Sequence, residues 1–178
     1  MEILFTGFGF TDAATTLLRV AMGLFFSISG YHKLFNPKRH ATVAKTMVDD
    51  HVPEPKFNSW FVPTVEFSGG IALIVGFLVP LAALGLMVIC CVATIVDGLK
   101  RIPSWSPLDL ADYLDDVLYL PEVLYSIILI SLIWNGGGPY SVDYLMVHSP
   151  EAVIAFVLIF LSASAGIMLF LVISRFAK

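Results

Sequence analysis

The stretch TTLLRVAMGLFFSISGYHKLF (Thr15–Phe35) is an apolar segment long enough to cross a lipid bilayer. A transmembrane helix needs about 20 residues to cross about 30 Å of hydrocarbon. Asp12, just before the stretch, is a suitable N-cap because its side chain can accept a hydrogen bond from the first helical turn. We therefore predict a membrane-spanning helix at this position.

The composition of the whole chain also indicates lipid as its solvent. Of the 178 residues, 58% are hydrophobic and 13% are charged, whereas about 25% of the residues of soluble domains are charged. The small net charge of −4 does not favour a nucleic-acid partner. Met1–Phe10 has no basic residue, so we expect no cleaved signal peptide. The composition predicts an all-α integral membrane protein.

Four more segments have the apolar character of the first, which gives five predicted spans. The predicted spans are residues 15–35, 61–79, 81–96, 117–134 and 152–174. We expect a tight turn near Pro80 between the second and third spans, and an interruption of the fourth at Pro121.

The basic residues predict the orientation of these spans. An N-terminus outside and a C-terminus in the cytoplasm place all but one of the ten Lys and Arg residues on the cytoplasmic side. The residues so placed are Lys33, Lys38, Arg39, Lys45, Lys56, Lys100, Arg101, Arg175 and Lys178. The remaining one, Arg19, lies within the first span. This pattern predicts a multi-pass membrane protein whose basic loops face the cytoplasm.

Two connections have the pattern of helices at the membrane surface. Ala41–Asp50 is short and mixed in polarity, and Pro107–Leu118 begins after Ser106 with the spacing of a capping box. The second connection alternates apolar and acidic residues at helical spacing. Its acidic residues are Asp109, Asp112, Asp115 and Asp116. This face is either a solvated surface or a docking site for a basic partner.

Five residues of the first span, separated by three or four positions, share one face of the helix. They are Arg19, Gly23, Ser27, Gly30 and Lys33. In the second span, Glu66 and Gly70 are one turn apart. Because small residues allow transmembrane helices to approach closely, we expect these two faces to pack together.

Charged residues within a span are candidate functional residues, since they are costly in hydrocarbon. A rise of about 1.5 Å per residue places Glu66 near the level of Tyr31 and Lys33 and about 15 Å from the level of Arg19. We expect Arg19 to reach toward the loop that carries Asp143. Arg19, Tyr31, Lys33 and Glu66 either fix helix packing or line a site for a quinone or another ligand.

The sequence offers no evident metal or cofactor ligands. The histidines lie at or beyond the span ends, and no His, Cys and carboxylate group has metal-ligand spacing. Cys90 and Cys91 are adjacent, so on a helix they point about 100° apart and cannot form a relaxed disulfide. We interpret them as small apolar core residues and expect no resident metal or haem.

With these residues in view, the chain resembles the DoxX family of small bacterial membrane proteins. Three stretches carry the resemblance: LLRVAMGLFFSISGYHKLFNP (Leu17–Pro37), VEFSGGIALIVGFLVPLAAL (Val65–Leu84) and GGPYSVDYLM (Gly137–Met146). In the first, Arg19, Gly30 and Lys33 stand in the family's places. The third is similar to the family's Gly-Pro-rich turn that ends in Ser-x-Asp.

The resemblance implies a four-helix membrane domain over residues 1–149, to which residues 150–178 add a fifth helix and a short tail. The family is usually described as membrane subunits or partners of oxidoreductases. One branch is linked to thiosulfate oxidation with electrons passed to quinone, and another to oxidative-stress defence alongside soluble redox enzymes. The added helix 152–174, with its small residues Ser162–Gly166, departs from the family pattern and could bind a neighbouring subunit.

Three hypotheses for the function follow. The first is an accessory, non-catalytic subunit of a larger bacterial redox or respiratory membrane complex, with further membrane subunits and a soluble redox protein as partners. The alternative is a quinone-reactive subunit of the thiosulfate:quinone oxidoreductase type, with quinone as its only cofactor. A small-molecule transporter ranks below both, because the sequence shows no inverted repeat with broken helices.

Overall fold

A computed structural model of the chain describes residues 10–102 and 110–148, with the backbone alone for residues 10 and 11. The described elements are all helices, in agreement with the predicted all-α class. In chain order they are α1 (Phe10–Phe35), α2 (Pro37–Asp49), α3 (Pro55–Val75), α4 (Val79–Val96), a 3-10 turn (Gly98–Arg101), α5 (Leu110–Leu118), α6 (Pro121–Asn135) and α7 (Val142–His148). The predicted span 152–174, the basic tail and Asp109 lie outside the described residues.

Two of the described helices are long and apolar enough to cross a membrane. They are α4 and the part of α1 from Asp12 to Phe35. The helices α5 and α6 together make a third candidate, bent by 69° at the break between them. These helices are those of a membrane protein. The described part of the chain therefore supplies two or three candidate spans, where the sequence predicted four.

The boundary predicted between the second and third spans was wrong by a few residues. The helix α3 ends at Val75, and Gly76 closes it with a positive φ of 78°, a backbone conformation that favours glycine. Pro80, where we had expected the turn, instead lies in the first turn of α4. A helix tolerates proline there because the missing N–H would have no intrahelical partner.

The interruption predicted at Pro121 within the span 117–134 is confirmed. The helix α5 ends at Leu118 and α6 begins at Pro121, because proline has no N–H to donate and restricts the residue before it.

The predicted surface helix Ala41–Asp50 begins earlier in the structure, at Pro37. Asn36 caps it: its Oδ1 accepts hydrogen bonds from the backbone nitrogens of Lys38 and Arg39 at 3.1 and 3.4 Å.

The expected packing of the first two spans is present, since α1 and α3 approach closely along their glycines. A Cβ atom added to Gly30 would lie 2.5 Å from the backbone nitrogen of Phe67, and one added to Gly70 would lie 2.5 Å from that of Ser27. Backbone atoms cannot move aside as a flexible side chain can, so the contact requires glycine on both helices.

The apolar core lies where α4 packs between α3 and α6. Its centre consists of side chains with no solvent-accessible surface: Leu73, Val79, Ala83, Leu86, Leu129 and Leu132. Many large apolar side chains instead face outward along the helices, as expected for a surface in contact with lipid. Arg19 lies at one end of the packed helices and Lys33 at the other; we call these the Arg19 end and the Lys33 end.

Candidate functional site

Arg19 is the most deeply buried charged residue among those described, with 1% of its surface exposed. Its Nη1 donates hydrogen bonds to the backbone oxygens of Leu73 at 2.7 Å and Ile74 at 2.9 Å. Its Nη2 donates to the backbone oxygen of Tyr140 at 2.8 Å. The guanidinium thus joins α1 to the carbonyl-rich end of α3, where a positive charge also complements the helix dipole.

Asp143 lies in the same region, as expected from the sequence, but it binds backbone rather than Arg19. Its Oδ1 accepts a hydrogen bond from the backbone nitrogen of Leu78 at 2.6 Å, and its Oδ2 accepts one from that of Val79 at 2.8 Å. These nitrogens open α4, so the carboxylate caps that helix. Asp143 therefore ties the first turn of α7 to the turn between α3 and α4.

Lys33 and Glu66 form the principal polar contact at the opposite end of α1. The Lys33 ammonium lies 2.7 Å from both carboxylate oxygens of Glu66, and Ser29 Oγ donates to Glu66 Oε2 at 3.3 Å. The side chain of Glu66 is 6% exposed and that of Lys33 is 31% exposed. The carboxylate is thus enclosed between α1 and α3, whereas part of the Lys33 side chain is exposed.

Tyr31, two residues before Lys33 on α1, has no hydrogen bond to this pair among the described residues. The residue is 51% exposed, and its ring packs with the rings of Phe35 and Phe67 at centroid distances of 4.8 and 6.2 Å. The four candidate residues therefore do not line a single cleft. Arg19 bonds near the end of α3, about two helical turns from Glu66 along that helix.

The acidic surface predicted from the sequence maps to α5, for the residues that the structure describes. The helix buries none of its residues. Asp112 and Asp115 are exposed and Asp116 is partly exposed. Leu114 and Leu118, on the same short helix, are 50% and 61% exposed. Both faces of α5 are therefore accessible on the described part of the chain.

The cysteines and the metal-ligating residue types give no centre within the described ranges. Cys90 is buried in the core, but Cys91 is exposed on the outer face of α4, so its interpretation as a core residue was wrong; both thiols are free. No three His, Cys, Asp or Glu side chains in residues 10–102 and 110–148 come together in a way that could hold a metal ion.

Comparison with known protein families relates part of the chain to one of them. The DoxX family model matches residues 14–97, which contain most of α1 and all of α2 to α4, and thus Arg19, Lys33 and Glu66. Residues 14–97 of the chain thus match the DoxX family. Two of the three stretches that carried the resemblance lie within the matched residues, and the third, Gly137–Met146, lies beyond them. Comparisons with curated proteins and with solved structures found no match.

The partners of Arg19 are contacts that sequence reasoning missed. They are backbone oxygens, and a backbone oxygen has no side-chain signature in the sequence. The glycine at position 76 was the available sequence signal for this site. In the structure, an added Cβ at Gly76 would overlap the guanidinium of Arg19. Ser141, which lies 2% exposed beside Gly76, was also missed. Its Oγ donates to the backbone oxygen of Gly138 at 2.5 Å.

Proposed function

We propose that this protein is a non-catalytic accessory subunit of a larger bacterial redox membrane complex. The observation that carries the proposal is that the buried charged side chains bond to other parts of the same chain. Arg19 bonds three backbone oxygens, and Glu66 is bound by Lys33 and Ser29, so both act between helices of the chain itself. Such contacts fix the relative positions of helices.

The helix α5 supports a role in assembly. Like α2, it buries none of its residues, and it combines exposed leucines with exposed aspartates. An apolar stripe beside an acidic face fits a partner whose contact surface is basic at its rim and apolar at its centre. We infer an inner-membrane, multi-pass location with the Lys33 end in the cytoplasm, since the cations gather there.

Neutralising the acidic face of α5 is expected to release the partner. In the triple variant Asp112→Asn, Asp115→Asn, Asp116→Asn, we expect recovery of co-purified protein to fall about tenfold, since each exposed ion pair contributes about 0.2–1 kcal/mol. The measurement is purification of the full chain in mild detergent followed by quantitative mass spectrometry. The matched control is Asp49→Asn with Glu54→Gln, two exposed acids away from α5, which should retain the partner. A wild-type chain that purifies as a lone monomer would contradict the proposal.

We propose quinone binding at the Lys33 end as a second candidate function. Lys33, whose side chain is partly exposed, can donate a hydrogen bond to a quinone carbonyl, and the adjoining Glu66 carboxylate can accept or return a proton. The exposed ring of Tyr31, packed with Phe35 and Phe67, offers an aromatic surface on which the quinone ring can stack. Arg19 takes no part, because its contacts are at the Arg19 end.

The variant Glu66→Gln is expected to weaken binding of a short-chain ubiquinone analogue about tenfold, because Lys33, the donor to the quinone carbonyl, loses the charged partner that positions it. Binding is measured by equilibrium titration in detergent. Glu122→Gln is the matched control, because Glu122 is likewise paired with a cation. Arg101 donates a hydrogen bond to Glu122, and this bond raises the pKa of Arg101. Equal binding by Glu66→Gln and the wild type would remove this candidate.

A further inference from the structure

Four exposed cations at the Lys33 end have no acidic partner within the described residues. They are Lys38, Arg39 and Lys45 on α2, and Lys56 in the first turn of α3. The other described lysines and Arg101 pair with carboxylates, and Arg19 bonds carbonyls. The exposed acids nearest to these four in the chain, Asp49 and Glu54, leave the region with a net positive charge. We call the four residues the basic patch.

A groove of about 290 Å³ runs between α2 and α3 within this region. Its walls include His40, Ala44 and Val48 from α2, and Pro55, Lys56 and Trp60 from α3. The floor of the groove is thus mainly apolar. Lys56, a member of the basic patch, lines one wall of the groove.

The histidine of this groove is held in a defined position. The His40 ring lies 4.1 Å from the Trp60 ring, and its Nδ1 is 3.3 Å from the backbone oxygen of Lys33. Its Nε2 has no hydrogen-bond partner within the described ranges. The groove therefore combines an aromatic wall with a ring nitrogen and an ammonium group.

We propose that the groove binds the headgroup of an anionic phospholipid. Its phosphate would interact with Lys56 and the neighbouring cations of the basic patch, and the glycerol region would pack on the apolar floor. A cluster of Lys and Arg beside a membrane helix attracts anionic lipid. The proposal is independent of any partner subunit or quinone.

The position of the groove favours lipid over a soluble anion. Only Asn36 separates α2 from α1, a candidate span, so α2 lies where that span leaves the bilayer. Phe57, Trp60 and Phe61 beside the groove are 63%, 56% and 49% exposed. Exposed aromatic side chains at the end of a span are typical of the headgroup level of the bilayer. A free phosphate would gain nothing from this aromatic surface.

The test is a titration of the purified full chain with dioleoylphosphatidylglycerol or dioleoylphosphatidylcholine, followed by native mass spectrometry. We expect the anionic lipid to bind at least tenfold more tightly. We expect Lys56→Gln to weaken that binding about fivefold, the factor for one cation near an anionic surface. Lys100→Gln is the matched control, because Lys100 is exposed but paired with Asp50 at 2.7 Å. That variant should bind as the wild type does.

A second variant separates the groove from charge alone. Ala44→Trp fills the groove without changing charge and is expected to reduce binding of the anionic lipid at least fivefold, while circular dichroism shows unchanged helix content. Equal binding of the two lipids, or unchanged binding in both Lys56→Gln and Ala44→Trp, would overturn the proposal. Displacement of the lipid by millimolar inorganic phosphate would also overturn it, since the site would then be one for a free anion.

Discussion

Replacement of Arg19 by methionine is expected to lower the free energy of unfolding by about 3 kcal/mol or more. The guanidinium donates three hydrogen bonds to the oxygens of Leu73, Ile74 and Tyr140. A hydrogen bond to a charged group contributes about 1.5–3 kcal/mol, and the contributions are not additive. Without the arginine, α1 would lose its polar contact to the end of α3 and to the loop after α6. The measurement is denaturant unfolding in mild detergent, followed by circular dichroism.

Two control variants show whether geometry or charge accounts for this effect. Arg19→Lys keeps the charge, but a single ammonium cannot reproduce the planar fork that serves α3 and the loop together, so we expect an intermediate loss. Arg39→Gln removes an exposed cation that has no ion pair within the described residues, and it should change the unfolding free energy by less than about 0.5 kcal/mol. A methionine variant as stable as the wild type would show that the three bonds contribute nothing net.

The features that could be predicted from sequence are those that follow from helical periodicity. The spacing of Gly23 and Gly30 on α1 and of Gly70 on α3 predicted a close contact, and the structure shows it. The rise per residue placed Glu66 near Lys33, where the structure has an ion pair. Both inferences depend only on the geometry of a regular helix.

Features that depend on where a helix stops were predicted less well. Pro80 was taken as the turn, although proline is equally suited to the first turn of a helix, where the structure places it. Gly76, which provides the turn, was not distinguished from the packing glycines. The contacts of Arg19 and Asp143 depend on this turn, because they bind backbone groups of residues 73–79. An error in the boundary therefore concealed the partners of both residues.

Replacement of Lys33 by methionine is expected to lower the free energy of unfolding by about 2–3 kcal/mol. Removing one partner of a fully buried pair costs about 3–5 kcal/mol, because the remaining charge is left enclosed without compensation. The effect here should be smaller, since Ser29 still donates to Glu66 and the Lys33 side chain is 31% exposed. The measurement is again denaturant unfolding in mild detergent.

The double variant Lys33→Met, Glu66→Met tests what the pair contributes. Because it leaves no enclosed charge, we expect it to recover most of the stability lost in Lys33→Met alone. A double variant as destabilised as Lys33→Met alone would contradict this account. The ion pair would then stabilise the fold by more than the cost of burying its two charges. A stable double variant would also separate the two proposed roles of this site. If the pair serves only helix packing, the folded double variant should bind a quinone analogue as the wild type does. If it binds the quinone headgroup, binding should be lost while the fold is retained.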